Sequence, residues 1–515
     1  MKHLPIGLQT FRELILKNYV YVDKTDIIHQ LITKGKVYFL ARPRRFGKSL
    51  LISTLESIFQ GKQELFQELA LSKLNYDWAI RPVIRIDFSG INRDTPEIFL
   101  ISLRKYLIEK AENFNIKLDL NDQPSDMFRS FVTNLYKHNG PVVLLVDEYD
   151  KPILDHLKNP KFAEEMRLHL RSFYDVFKYL DEYLHFVFIT GVSKFTQTSI
   201  FSGLNNLKDL SVTEQAATLC GYTKAEIETN FQPHLAAFAT KLGKTIPEII
   251  EILEKWYDGY SFEWGCEKIF NPFSVLNALQ DKKLANYWVT TGTPNFLATM
   301  FKNQNPVPQI DVTLRIKSDD LVIVNLDKLP FIPVLVQTGY LTITGENRTG
   351  YSLDFPNYEV ASSYALWSLA GTFNQESMNI RSLGGVLLTL LEQKDFDSFF
   401  QHLIPMFASI PYDIHVEDKE KYYQSIIYLL SLLVGIDMGV ELSTNIGRID
   451  AVIKTDDSIV IFEYKLRGTA QEALDQIKDK KYYERFLNSG KKIILVGVEF
   501  SMQERNIVKW LVNKP

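Results

Sequence analysis

Three short stretches of this 515-residue chain carry residue types that handle phosphates and metal ions. The first is Arg42-Pro-Arg-Arg-Phe-Gly-Lys-Ser49. Its closing Gly-Lys-Ser lets backbone N–H groups approach a phosphate, brings Lys48 to the β/γ-phosphates and offers the Ser49 hydroxyl to Mg²⁺. One position departs from the usual loop: the first glycine, five residues before Gly47, is Arg42. The second stretch is Val142-Val-Leu-Leu-Val-Asp-Glu-Tyr-Asp150, an apolar run ending in adjacent carboxylates. Asp147 suits Mg²⁺ binding through water, and Glu148 suits polarising an attacking water. The third joins Gly447-Arg-Ile-Asp450 to Ile461-Phe-Glu-Tyr-Lys465. Glu463 and Lys465 are two apart, so on a strand they share a face. A hairpin turning near Asp456-Asp457 would set Asp450 beside Glu463. Two carboxylates and a lysine on one face can hold a divalent cation and polarise a phosphodiester and its attacking water. A strand with a surface salt bridge would carry the same residues.

The surrounding elements supply the context that these motifs need. Val37–Ala41 reads as a strand and 50–60 as a helix, so the loop sits at a strand-to-helix turn, where the helix N-terminus favours anions. Further strands are expected at Val83–Asp87, Val142–Asp147 and His185–Gly191, with helices at 96–114 and 162–180 between them. That alternation predicts a mostly parallel sheet with helices on both faces. Ser193, at the end of Phe186-Val-Phe-Ile-Thr-Gly-Val-Ser-Lys194, could sense a γ-phosphate, or could belong to a plain strand-to-loop turn. Arg167 and Arg171 share a helix face, which a solvated surface explains as well as an arginine finger does. From about 215 to 300 the pattern turns helical, with amphipathic stretches near 224–241 and 246–257. A mixed section with strand-like Gly339-Tyr-Leu-Thr-Ile-Thr344 runs to about 400, and Phe407–Asp418 reads as a boundary loop. Beyond it a helix is expected at 419–435, strands at 448–454, 458–466 and 492–498, and a helix at 469–487.

Composition bounds the rest. A chain of this length exceeds one hydrophobic core, so two to four domains are expected. With 46% hydrophobic and 23% charged residues it is ordinarily globular, and a net charge of −4 gives no global pull toward nucleic acid. Cys220 and Cys266 are the only cysteines, too few for a disulfide scaffold or a cysteine-rich zinc site. The start, Met1-Lys-His-Leu-Pro-Ile-Gly, lacks a signal peptide's apolar core. Ile426 to Val440 is apolar but interrupted by Ser431 and Asp437, and too short to span a bilayer. A cytoplasmic protein without a membrane partner is the expectation.

Several motifs in order give the chain a family likeness. Tyr21-Val-Asp-Lys-Thr25, the Arg42–Ser49 loop, Val146-Asp-Glu-Tyr-Asp-Lys-Pro152 and Gly191-Val-Ser-Lys-Phe195 together resemble the AAA-ATPase-like family of bacterial proteins, as do Phe201-Ser-Gly-Leu-Asn-Asn206 and Trp256-Tyr-Asp-Gly-Tyr260. The resemblance, over about residues 1–300, implies that Arg42 is a family trait and that Asp23, Lys24 and Thr25 lie near the nucleotide. The expected ATP-binding residues are Arg45, Phe46, Gly47, Lys48, Ser49, Leu50, Asp147 and Ser193. Residues 405–515, ordered as helix, hairpin, helix and strand, resemble the PD-(D/E)XK nuclease superfamily. By position that likeness implies Asp450 and Glu463 as metal ligands, Lys465 as the catalytic lysine, Gln476 as a supporting residue and Glu420 as an extra carboxylate.

The expected architecture is α/β: a P-loop NTPase domain (1–215) with a parallel sheet, a helical lid region (216–300), a connecting mixed region (301–404) and an α/β PD-(D/E)XK nuclease-like domain (405–515). The expected function is ATP binding and hydrolysis coupled to Mg²⁺-dependent cleavage of DNA, with defence against foreign DNA as one setting. The alternative is a nucleotide-dependent switch or scaffold whose nuclease-like domain binds nucleic acid or a partner without cleaving. DNA gets local support from Lys478, Lys480, Lys481, Arg485, Lys491 and Lys492 interleaved with Tyr482 and Tyr483. Asp475, Asp479 and Glu484 dilute that patch, and an RNA substrate and a homo-oligomer both stay open.

Overall fold

Runs of Val, Leu, Ile and Phe too apolar for one-sided strands need cover on both faces, and a parallel sheet between helices supplies it. In the computed structural model β1 (Val37–Ala41), β2 (Val83–Asp87), β3 (Val142–Asp147), β4 (Leu184–Gly191) and β5 (Lys208–Asp209) form one parallel sheet in the order β2-β3-β4-β1-β5. The structure describes the chain except residues 195–199, 202–203, 205, 293–314, 322–329, 374, 411–419, 436, 444–447, 456 and 515. Every residue of β1 and β3 is buried. The register, with Ala41 beside Gly191 and Val146 beside Ile189, brings the carboxyl ends of β1, β4 and β3 to one edge of the sheet. In open α/β sheets, ligands bind at that edge.

Helices Pro96–Glu112 and Pro160–Asp175 lie within two residues of their expected starts, and helix Lys48–Phe59 follows the loop. Helix Pro124–Asn139 was not expected. Its signals are Pro124 at the first turn and Gly140 at φ +80° after the last, the asymmetry that marks helix ends. The stretch 224–241 is two helices, Lys224–Asn230 and Gln232–Leu242, broken at Phe231 with Pro233 in the next first turn. These helices and Ile246–Tyr257 share a core of Ile227, Phe231, Leu235, Phe238, Ile249 and Leu253, into which Leu4, Val20 and Val22 also pack. The amino-terminal segment is thus built into the helical region.

The chain divides into two compact units, Met1–Phe296 with Val312–Asn357, and a second that takes up Tyr358–Pro515. The section 301–404, read from the sequence as one connecting region, is therefore shared between them. In the first unit β6 (Arg315–Ile316), β7 (Thr342–Asn347) and β8 (Gly350–Asp354) form a small antiparallel sheet ordered β6-β8-β7. Asn357 ties off this block by donating Nδ2 to the Asp258 carbonyl at 2.8 Å.

Burial pushes the Asp258 carboxyl up to about 6. Because the folded chain holds that proton more tightly than the unfolded one, stability falls as pH rises from about 4 to about 6. Asp258→Asn should remove that fall of about 3 kcal/mol, at 1.36 kcal/mol per pH unit. Urea midpoints from pH 4 to 7 would check this, and parallel curves for the two proteins would contradict it.

In the second unit β9 (Asp437–Ser443), β10 (Arg448–Lys454), β11 (Ser458–Lys465), β12 (Lys492–Ser501) and β13 (Asn506–Asn513) are ordered β13-β12-β11-β10-β9. Only β11 and β12 run parallel. Their crossover contains helix Ala470–Asp479, which ends eight residues short of the expected 487 and is followed by the 3-10 turns Glu484–Ser489. The helix lies so close to β12 that a Cβ on Gly497 would stand 2.3 Å from the Ala470 carbonyl. β9 and β13 were not expected. Trp510 of β13 stacks on Phe400 at 5.0 Å and donates Nε1 to Asp397 at 2.7 Å, which ties helix Phe396–Ala408 to this sheet. The boundary loop placed at Phe407–Asp418 falls mostly outside the described residues. Among the described residues no helix is long and apolar enough to cross a membrane. Ile426–Val440 is the end of helix Glu420–Val434 followed by part of β9.

Candidate functional sites

The phosphate loop leaves β1 at Ala41, and Arg42 explains the missing glycine. Its N–H donates to the Gly191 carbonyl at 3.1 Å. Its guanidinium, only 1% exposed, donates to the carbonyls of Ala41, Ser211 and Ala216 at 2.8–2.9 Å and lies 3.9 Å over the Phe262 ring. Burial holds this guanidinium down to about 10. Arg42 thus fastens the base of the loop to residues 211–216. Arg42→Gly, which restores the usual loop residue, should destabilise the protein by about 3–5 kcal/mol by orphaning carbonyls and leaving a cavity. Urea unfolding would show it, and an unchanged midpoint would refute this role for Arg42.

Gly47, at φ +93°, turns the chain into helix Lys48–Phe59. Lys48 Nζ donates to the carbonyls of Arg42 and Pro43 at 2.9 and 3.0 Å. Burial lowers its pKa, against the charges of Glu148, Asp147 and Asp150. Gly47, Lys48, Ser49, Leu50, Arg45 and Glu148 line a cleft of 410 Å³. Arg45 is itself left-handed at φ +69°, with its guanidinium 5.1 Å over Phe273. Phe46 faces away: its buried ring packs on Tyr260 at 4.8 Å and Phe262 at 5.7 Å, so it offers a phosphate only its backbone.

Asp147 is 1% exposed and accepts from Thr190 Oγ1 at 2.7 Å and from the Glu148 N–H at 3.1 Å. Glu148, which lines the cleft, has φ +51°, a costly conformation for a residue with a Cβ. Burial raises its pKa, while Lys48 and Lys151 oppose the rise. Ser193 is buried and gives both its N–H and its hydroxyl to Asp150, at 2.7 and 2.5 Å. Sensing a γ-phosphate would require that hydroxyl to let go of Asp150. Arg167 is paired within its own helix with Glu164, and Arg171 with Asp175.

Asp23, Lys24 and Thr25 do not line this cleft. Asp23 accepts from the N–H groups of Thr25 and Ala70, and Thr25 Oγ1 accepts from the Leu71 N–H. Lys24 pairs with Glu226 and borders a smaller cavity of 70 Å³ beside Gly47 and Leu50. The sequence reading missed the other wall of the 410 Å³ cleft: Pro5–Gln9, Tyr222, Pro272, Phe273 and Leu276. Asn271-Pro272 is legible as a helix start, with Asn271 accepting from the Ser274 N–H. Nothing local shows that this start faces a loop more than 200 residues away.

The second site is set by strand register. Ala451 stands opposite Phe462, so the hairpin brings Asp450 beside Glu463. Asp450 Oδ2 accepts from the Tyr464 N–H at 2.9 Å. Glu463 is 1% exposed, with Oε1 accepting from Lys465 Nζ at 3.3 Å and from Gln476 Nε2. Its other oxygen, Oε2, is buried without a hydrogen-bond partner. Burial, with help from the Asp450 charge and against Lys465, pushes this carboxyl up to about 7. A divalent cation at Oε2 would satisfy the orphaned lone pairs and reverse that shift. The donor set therefore fits a metal ion.

The structure thus brings Asp450, Glu463, Lys465 and Gln476 together. Glu420 opens helix Glu420–Val434, and its side chain lies outside the described residues. Among the described residues no three His, Cys, Asp or Glu side chains converge on one point, so a cation here would lean on two carboxylates, backbone and water. The basic patch loses one expected member: Tyr482 is 1% exposed and belongs to the core under the sheet, so it cannot stack on a base. Its neighbours Lys480 and Arg485 lie over the rings of Tyr482 and Phe486, and Lys491 Nζ donates to the Thr455 carbonyl.

Residues 5–201 match the family described as predicted AAA-ATPase, and residues 418–510 match the PD-(D/E)XK nuclease superfamily. The chain is 36% identical over 527 residues to a protein of Azotobacter chroococcum mcd 1 described as an uncharacterized protein in the vnfD 5′ region, with 99% of each chain covered. Among solved structures it is similar to Aeropyrum pernix ORC1 in complex with DNA, at 10% identity and a TM-score of 0.25 over 69% of this chain and 96% of that one. It is also similar to Aeropyrum pernix ORC2 in its ADPNP-ADP complexes, at 11% identity and a TM-score of 0.28 over 81% and 85% of the two chains.

Proposed function

For a chain that belongs to the AAA-ATPase-like family and ends in a PD-(D/E)XK nuclease superfamily domain, we propose that ATP bound in the 410 Å³ cleft controls metal-dependent hydrolysis of DNA phosphodiesters. The observation that carries the nuclease half is the cluster of Asp450, Glu463, Lys465 and Gln476 around one unpartnered carboxylate oxygen. A structural salt bridge alone leaves that buried, unpartnered oxygen unexplained.

At the nucleotide site Lys48 exchanges its loop carbonyls for β/γ-phosphate oxygens, and backbone N–H groups at the start of helix Lys48–Phe59 cradle the phosphates. Ser49 and Asp147 would hold Mg²⁺, and the raised pKa of Glu148 suits it to take a proton from the attacking water. Arg45, Phe273, Tyr222 and the Pro5–Gln9 segment form the wall against which the base and ribose rest.

At the second site Asp450 and Glu463 would hold the divalent cation, which would supply Lewis-acid polarisation of the phosphodiester and its attacking water. Gln476 orients Glu463 through Oε1, and Lys465 stabilises the negative charge that develops on the phosphate. Lys478, Lys480, Lys481 and Lys492 support a DNA backbone as the substrate; the site chemistry is shared with RNA.

Incubating the full chain with labelled DNA or RNA, Mg²⁺ or Mn²⁺, and with or without ATP tests the reading. Metal-dependent cleavage of DNA is the expected result. A protein that hydrolyses ATP yet leaves both nucleic acids intact under every condition would instead be the switch or scaffold.

A further inference from the structure

The phosphate loop is braced from behind by residues far along the chain. Trp288, buried at the end of the helical region, donates Nε1 to the Arg44 carbonyl at 2.9 Å and packs on Tyr340 at 5.3 Å. Gly339 ends helix Phe331–Thr338 at φ +86°, pressed against the loop. A Cβ there would stand 2.8 Å from Pro43 Cβ and Cγ. Two residues earlier, Gln337 accepts from the Lys194 N–H at 2.9 Å and donates to the Leu321 carbonyl. Lys194 follows Ser193, whose N–H and hydroxyl are bound to Asp150 at the end of β3.

One corner, Gln337 to Tyr340, therefore touches both the loop after β1 and the end of β4. The same block continues through Thr342, which exchanges hydrogen bonds with Ser261 at 2.7 and 3.0 Å, to Asn357 on the Asp258 carbonyl. At Tyr358 the chain enters the second unit.

We infer that Trp288, Gln337 and Gly339 are positioning residues of the nucleotide site, holding the phosphate loop and the end of β4 in register from the block that leads into the nuclease-like unit. None of the three lines the cleft, so each acts through Arg44, Pro43 or Lys194. This inference rests on the reading of the cleft as an ATP site. If the loop moves when phosphate replaces its carbonyls on Lys48, Pro43 and Arg44 carry that movement to Gly339 and Trp288.

The test uses the full chain, steady-state ATP hydrolysis and thermal melting. Trp288→Phe removes only the indole donor, and Gln337→Met removes the amide at similar volume; both avoid the folding risk of Gly339→Ala. Each is expected to raise KM for ATP about fivefold, the size of one neutral hydrogen bond. Gly350→Ala is the control for general damage to the block: its φ is +128°, and its Cβ would strike the Ile316 carbonyl rather than the loop. It should lower the melting point but leave KM within about twofold, because its strain is spent on folding. Wild-type KM in both Trp288→Phe and Gln337→Met would overturn the inference. So would a Gly350→Ala KM that rises in step with lost stability. If wild type and Lys48→Ala do not differ in ATP turnover, the ATP reading itself fails and this inference fails with it.

Discussion

Lys465→Ala is expected to lower metal-dependent DNA cleavage at least about 10²–10³-fold, the cost of removing one preorganised charge from a developing oxyanion. Lys465 lies 3.3 Å from Glu463 Oε1, with its side chain 24% exposed. An ion pair reaching solvent contributes about 0–1 kcal/mol to stability, so the variant should remain folded. Losing the ammonium also removes the group that holds the Glu463 carboxyl down, so the carboxyl rises further and metal-free Glu463 stays protonated to a higher pH. The variant's residual cleavage should therefore need a higher pH as well. Its ATP turnover should match wild type, because Lys465 belongs to the other unit. Rates on a labelled duplex across pH 6–9, beside an ATPase assay, would check both halves. Cleavage that survives unchanged would remove the nuclease assignment.

Glu148→Gln should lower kcat for ATP hydrolysis about 10²–10⁴-fold, the usual worth of a general base, while ATP still binds. The substitution keeps the shape of a side chain whose backbone is already left-handed at φ +51°. It also removes a partly buried negative charge from the phosphate cleft, so nucleotide affinity should hold or improve. Because burial raises the Glu148 pKa, wild-type kcat should climb with pH as that carboxyl loses its proton, and the variant should lose the climb. Phosphate release over a pH series, with equilibrium binding of a fluorescent ATP analogue, separates the effects. A variant with wild-type kcat would transfer the base role elsewhere.

Much of this was legible where one short stretch carries its own physics. The apolar runs of β1 and of Val142–Val146 in β3 announced buried parallel strands, and the observed strand order confirms that sheet. The spacing of Glu463 and Lys465, with a turn between them and Asp450, led to a hairpin face that the register reproduces. What stayed hidden depends on long-range packing. Arg42 looked like a defect because its three carbonyl partners include Ser211 and Ala216, about 170 residues away. The Pro5–Gln9 and Phe273 wall is assembled from both ends of the first 300 residues. Tyr482 sits among lysines in sequence, yet its ring turns inward to the β11 core, since the chain after Asp479 abandons the helical period on which a surface patch would rest. β13 was overlooked because its burial runs in adjacent pairs, Asn506 and Ile507 inward and then Val508 and Lys509 outward, and so lacks the alternation that marks a strand. The division of 301–404 between the two units could not be seen at all, because Gly339, Thr342 and Asn357 choose their partners in Pro43, Ser261 and Asp258.

Control of the phosphodiester site by the nucleotide cleft can be read from the DNA cleavage rate of the full chain as ATP is titrated, for wild type and Lys48→Ala side by side in the same Mg²⁺. Lys48 Nζ now caps the loop carbonyls of Arg42 and Pro43, and its removal leaves Asp450, Glu463 and Lys465 untouched. The expected result is a wild-type rate that changes with ATP and a Lys48→Ala rate that is the same at every ATP concentration. A wild-type rate indifferent to ATP, with Lys48→Ala cleaving equally well, would show two independent sites and contradict the account.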